Sequence, residues 1–306
     1  MDRILGIISE YNPLHLGHVY HIEESKRKVK PDYTVAIMSG NFVERGDSAI
    51  VDKWSRTEMA LKNGIDLVIE LPLVYSISSA ENFASGGIKI LDSLNMQTVL
   101  SFGSECGDIS ILEDIANVLI EEPPEYLSML NHALDNGSSY PKAREHALLM
   151  YLNNIRRFAN VLSEPNNILG IEYIKAIKKL KSNLKALTIK REGSGYNDLD
   201  LLQNKASGMA IRHALITNTD IKKFVPETTY EILKQKTEKN EIVPGLAKYE
   251  QAIIYKLRSM ELEEIALLPD VNEGLENKIK KAADSCNTLL ELTEKIKSKR
   301  YTRNKN

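Results

Sequence analysis

The chain has 306 residues, of which 42% are hydrophobic and 27% charged, with a formal net charge of −2 at pH 7. That length supports one large or two ordinary domains around a substantial core; no apolar run reaches membrane-span length, and the near-neutral balance excludes a global attraction to nucleic acid. Two cysteines, Cys106 and Cys286, form neither a metal motif nor a disulfide framework, so a cytoplasmic location and no membrane partner are expected.

The first element is expected to be a strand, Ile4-Leu5-Gly6-Ile7-Ile8, rather than a signal peptide. Glu10-Tyr11-Asn12-Pro13-Leu14-His15-Leu16-Gly17-His18 follows. Pro13 removes a backbone donor and biases Asn12 away from helical angles, which puts the turn near 12–14 and a helix from about Leu16 to about residue 30. The first-turn amides of that helix are expected to be unpaired and to point back at the strand's carboxyl end. Together with the helix dipole they favour an anion, each such charge interaction being worth about 0.3–1 kcal/mol. Gly17 leaves room for a ligand against the backbone.

His15 and His18, three residues apart, project to the same side and reach one phosphate chain. Each is expected to protonate easily beside a polyphosphate and to donate a charge-assisted hydrogen bond of about 1.5–3 kcal/mol. A bond that strengthens as pyrophosphate departs would speed the step roughly tenfold to a hundredfold. His21 adds a third histidine at the same spacing. Steps of three turn each ring by about 60°, so His15 and His21 diverge by about 120° and no metal site is expected.

Further strands are expected over 33–38, 66–70 and 98–102, with helices over 52–63 and 80–93. The loop at 39–46 then lies at the ligand-binding edge of the sheet, or is an ordinary connection; Lys53 and Arg56 follow it, and arginine suits carboxylate or phosphate recognition. Helical periodicity over about 108–160 reads as an insertion. Asn166-Asn167 open a helix, and could simply cap it, before a late strand at Ala186-Leu187-Thr188-Ile189. After about residue 217 the chain reads as helix. Its end carries Lys295, Lys297, Lys299, Arg300, Arg303 and Lys305 around Tyr301, a pattern that suits a nucleic-acid backbone and a stacked base, or a solvated terminus. The fold class is α/β, a Rossmann-like doubly wound parallel sheet with a helical insertion and a helical C-terminal region, divided as 1–217 and 218–306.

The HxGH arrangement after the first strand resembles the nucleotidyltransferase superfamily, which also includes class I aminoacyl-tRNA synthetases. The runs EYNPLHLGHVYHI, SGNFVERGDSAIVDKWSRTEMAL, GIDLVIELP, SFGSE and EPNNILGIEYIKAI resemble more narrowly the tRNA(Met) cytidine acetate ligase family. That resemblance implies an ATP- and Mg²⁺-dependent enzyme that activates acetate to acetyl-adenylate and acetylates the N4 amine of the wobble cytidine of elongator tRNA(Met). It implies catalytic roles for His15 and His18. ATP contacts would run along Ile8-Ser9-Glu10-Tyr11-Asn12-Pro13-Leu14-His15-Leu16-Gly17-His18-Val19-Tyr20-His21 and at Gly103, Asn167 in preference to Asn166, and Arg191. Ser207 and Arg212 resemble the second superfamily motif, although Gly208 and Met209 stand where small hydroxyl residues or Ala are commoner. Asn41 or Arg45 would lie near the acetate carboxylate, and Lys299, Arg300 and Arg303 near RNA. Family members continue beyond KRYTR, so the resemblance implies a short C-terminus. Rival readings are an adenylyltransferase acting on a phosphorylated metabolite and a non-catalytic nucleotide- or RNA-binding relative.

Overall fold

The computed structural model of the chain describes residues 2–44, 46–191, 206–269, 271 and 274–297. β1 (Arg3–Ser9) leads through α1 (Leu16–Val29) to β2 (Tyr33–Ser39), and α2 (Lys53–Lys62) leads to β3 (Leu67–Leu71). A short α3 (Leu73–Ser76) and α4 (Ala80–Ser93) return the chain to β4 (Gln97–Ser104). Then come α5 (Ile109–Glu121), α6 (Pro124–Asp135), α7 (Tyr140–Tyr151), α8 (Ile155–Phe158), α9 (Pro165–Lys179) and β5 (Lys185–Lys190). Helices α10 (Gly208–Ile216), α11 (Glu227–Glu238), α12 (Glu250–Ser259), α13 (Leu262–Ala266), α14 (Leu275–Ser285) and α15 (Leu289–Ile296) complete the order.

Among the described residues the strands form one sheet in the order β3-β2-β1-β4-β5, with every neighbouring pair parallel. A parallel sheet is covered on both faces, which is why its strands read as apolar runs. Alternation sorts their side chains. Ile4, Ile8, Val35, Ile37, Leu100 and Phe102 enter one core with α4, α5 and α9. Leu5, Ile7, Ala36 and Met38 enter the other with α1, α2, α10 and α11. Gly6 has no side chain to offer the first core because Leu91 of α4 already occupies the space: a Cβ there would lie 2.8 Å from it.

The stretch expected to be an insertion is partly core. Leu112, Ile115 and Ala116 of α5 join the sheet's first cluster, and α5 packs on α9. The first compact unit also runs beyond the boundary expected near residue 217, to Val243, because Ile221, Val225, Ile232 and Leu233 belong to the second cluster. The other unit, from Pro244, has its own small core of Ala282, Ala283, Cys286 and Leu292. Within it Arg258 closes the end of α14, donating to the carbonyls of Ala283 and Cys286, both at 2.7 Å.

Arg56 on α2 is fully buried. Nη1 donates to the Glu10 carbonyl at 2.6 Å, and Nη2 to the carbonyls of Ser39, at 3.0 Å, and Gly40. Desolvation lowers its pKa to about 10, with Glu10, Asp52 and Glu70 opposing the shift, so the group stays a cation at neutral pH. The expected carboxylate- or phosphate-binding arginine is thus a main-chain clamp that ties the carboxyl ends of β1 and β2 together. Arg56→Met would leave buried carbonyls without donors and is expected to cost about 3 kcal/mol. A urea midpoint equal to the unsubstituted protein's would show that the clamp carries no stability.

Candidate active site

Where the strand order reverses about β1, doubly wound sheets leave a crevice at the carboxyl ends. Here it is a cavity of about 390 Å³ between the ends of β1, β4 and β5 and the starts of α1 and α10. His15 is the N-cap of α1: its Nδ1 accepts from the Gly17 amide at 3.1 Å. His18 reciprocates, its Nδ1 accepting from the His15 amide at 3.2 Å. The rings stack with centroids 3.8 Å apart, and Tyr11 meets His18 edge-on at 5.1 Å. An imidazole whose Nδ1 accepts carries its proton on Nε2. Both residues line the cavity, and both keep an Nε2–H to donate.

This capping changes the anion site expected from sequence. The Leu16 amide donates to the Phe224 carbonyl at 3.0 Å, that of Gly17 to His15, and that of His18 to the His15 carbonyl at 2.8 Å. With its first amides already paired inside the chain, the helix start leaves the imidazole N–H groups to replace them as donors.

The histidines are also neutral, not readily protonated. Burial lowers His15 to about 3, with Arg191 and Arg212 adding to the shift. His18 is held well below its usual range by burial, His15 and Arg191, and His21 falls to about 4 through burial and Arg191. The positive charge on this side of the cavity therefore comes from Arg191 and Arg212. His21 also borders the cavity, but its Nε2 lies 3.1 Å from Ser101 Oγ, where Ser25 joins at 2.7 Å.

Arg212 reaches the site from α10, its Nη1 donating to the Asn12 carbonyl at 2.8 Å, while Asn12 Oδ1 accepts from the Ile50 amide at 2.8 Å. Ser207 caps α10 by accepting from the Ala210 amide at 3.1 Å. A Cβ on Gly208 would sit 3.4 Å from Arg212 Nη1 and 3.9 Å from His15 Cδ2. Those are ordinary contacts, so the missing hydroxyl at 208 is not enforced by space.

At the β4 edge Gly103 lets Arg191 lie close: a Cβ there would be 3.2 Å from Arg191 Cγ. Glu105 accepts from the Asn166 side chain and from the Asn167 amide at 2.9 Å, and lies 3.9 Å from Arg191 Nε. The two asparagines are placed differently. Asn167 is 1% exposed and its Oδ1 accepts from the Cys106 amide at 3.1 Å, whereas Asn166 borders the cavity.

Other expected residues divide similarly. Ile8, Ser9, Glu10, Tyr11, Asn12, Leu16, Gly17 and Tyr20 line the cavity, as do Gly103, Arg191, Ser207 and Arg212. Pro13, Leu14 and Val19 do not; Leu14 and Val19 pack in the second core. Asn41 is exposed, its Oδ1 accepting from the Lys53 amide at 2.8 Å, and it is not among the lining residues. Arg45, Lys299, Arg300 and Arg303 lie outside the described residues. The sequence reading missed Glu44, Phe83, Leu169 and Tyr173, which also border the cavity. Phe83 and Tyr173 sit on helices at ordinary core spacing, which carries no ligand signal.

The family described as HIGH Nucleotidyl Transferase matches residues 2–305. A tRNA(Met) cytidine acetate ligase of Thermoanaerobacter sp. (strain X514) is 50% identical over 302 residues, covering 98% of this chain and 74% of that protein. This chain belongs to the tRNA(Met) cytidine acetate ligase family. A ligase of the same name from Caldanaerobacter subterraneus subsp. tengcongensis is 49% identical over 97% of the chain and 74% of its own length. The crystal structure of apo Thermotoga maritima TmcAL matches at 35% identity with a TM-score of 0.91, over 98% of this chain and 72% of that one. The same protein bound with alpha-thio ATP matches with a TM-score of 0.88. The chain is accordingly a ligase on a nucleotidyltransferase fold, and among the described residues no helix is long and apolar enough to cross a membrane.

Proposed function

We propose that this ligase binds ATP in the β1 cavity, joins AMP to acetate as acetyl-adenylate, and passes the acetyl group to the N4 amine of the wobble cytidine of elongator tRNA(Met). The observation that carries this reading is the stacked His15–His18 pair beside Arg212, at the start of the helix that follows β1. Two neutral imidazole N–H donors and a guanidinium held by the Asn12 carbonyl are preorganised for the oxygens of a departing pyrophosphate. Such donors lower a barrier because they need no reorientation as charge builds. Arg191, beside Gly103 and Asn166, supplies the cation at the nucleoside end.

Mg²⁺ would be held by the substrate phosphates with few protein ligands and would neutralise their charge here. The names of the relatives support acetate and tRNA(Met) as substrates.

The test uses ATP, Mg²⁺ and radiolabelled acetate, with and without elongator tRNA(Met), following pyrophosphate and labelled nucleoside. Pyrophosphate should form only with acetate, and label should enter the tRNA as an N-acetylated cytidine. Pyrophosphate release that ignores acetate, or label that never reaches RNA, would overturn the reading.

A further inference from the structure

The phosphate and nucleoside ends of the cavity leave one wall without a role. Ile8, Phe83, Phe102 and Tyr173 come together there from β1, α4, β4 and α9, each no more than 7% exposed and each lining the cavity. The rings of Phe102 and Tyr173 tilt against one another at 5.5 Å. Among these apolar groups the Tyr173 hydroxyl is buried with no hydrogen-bond partner. Buried hydroxyls are rarely left so, and this one belongs to a residue that borders the cavity. Glu10 and Glu44 line the same cavity, with Glu10 Oε1 accepting from the Glu44 amide at 2.8 Å. Burial first, and then these two carboxylates, push the phenol well above its ordinary range, so it remains a donor at any working pH.

We propose that this wall is the acid-substrate subsite: the Tyr173 hydroxyl donates to one carboxylate oxygen of acetate, and Phe83 with Ile8 encloses the methyl group, limiting the acid to two carbons. The inference rests on the acetate-activating reading above. In the first step the other carboxylate oxygen forms a bond to the α-phosphorus as the bond to pyrophosphate breaks, and pyrophosphate leaves with that electron pair. No proton moves. Tyr173 fixes the acid for that attack, and the hydrocarbon wall rejects a longer chain by its volume.

Acetate-dependent exchange of labelled pyrophosphate into ATP tests the subsite, with acetate and propionate compared. Tyr173→Phe should raise KM for acetate about tenfold while KM for ATP stays within about twofold. Phe83→Ala should raise the propionate-to-acetate ratio of kcat/KM at least about tenfold, and Phe83→Leu, a milder change to the same core position, by a smaller factor in the same direction. An unchanged acetate KM in Tyr173→Phe, or an unchanged ratio in the Phe83 variants, would overturn the subsite. If instead the unsubstituted enzyme exchanges without acetate, the acetate-activating reading itself falls, and the subsite with it.

Discussion

His18→Asn should lower acetate-dependent pyrophosphate formation about a hundredfold while the melting temperature stays within about 2 °C of the unsubstituted protein. The two nitrogens of His18 do different work. Nδ1 accepts from the His15 amide and so helps to close the start of α1, whereas Nε2 is the donor left for a ligand. Asparagine puts its amide oxygen near the position of Nδ1, where it can accept from the same His15 amide, so the helix start survives. Nothing then replaces the Nε2 donor. Loss of one preorganised donor to a developing oxyanion typically costs a factor of about 10²–10³. His18→Gln can close the helix start as a glutamine at this position of a capping box does, and its longer side chain also reaches toward Nε2. It should keep more activity than the Asn variant. An Asn variant with the unsubstituted rate would remove His18 from the chemistry.

The sheet was legible because its physics is local. Buried parallel strands are continuous apolar runs, and those at 4–8, 33–38, 66–70, 98–102 and 186–189 fall within one or two residues of the ends of β1, β2, β3, β4 and β5. The phosphate end was legible too, since a strand, a proline turn and paired histidines are adjacent in the chain. What the sequence concealed was the state of those groups. Whether the amides of α1 are free depends on the Phe224 carbonyl, some two hundred residues away. Whether the histidines are charged depends on burial and on Arg191 and Arg212. Arg56 and Asn41 looked like ligand-binding residues because their types suit anions, yet both engage main-chain groups of the fold. Phe83 and Tyr173 were concealed for the opposite reason, being indistinguishable by spacing from residues that only fill a core.

Acid should destabilise this fold through its neutral histidines, and His21 isolates the effect. In the folded chain His21 takes up a proton only near pH 4, because burial and Arg191 oppose the cation; unfolded, it does so near 6.5. Between those values the unfolded state binds more protons, so stability rises with pH across the window. The contribution is complete above about pH 6.5 and is lost as pH falls toward 4. At pH 4.5 one such group accounts for about 2–3 kcal/mol. His21→Gln preserves an amide near Nε2, within reach of Ser101 Oγ, and removes the titration. Urea unfolding at pH 7.5 and 4.5 should therefore show the variant losing about 2–3 kcal/mol less than the unsubstituted chain over that interval, whatever the carboxylates common to both contribute. Equal losses would mean that His21 titrates alike in both states and that the desolvation assigned to it is not felt. A bound polyphosphate works against the same desolvation by offering its charge to the cavity. Adding ATP at pH 5.5 should accordingly restore more stability to the unsubstituted protein than to His21→Gln, because binding there is coupled to proton uptake that the variant lacks.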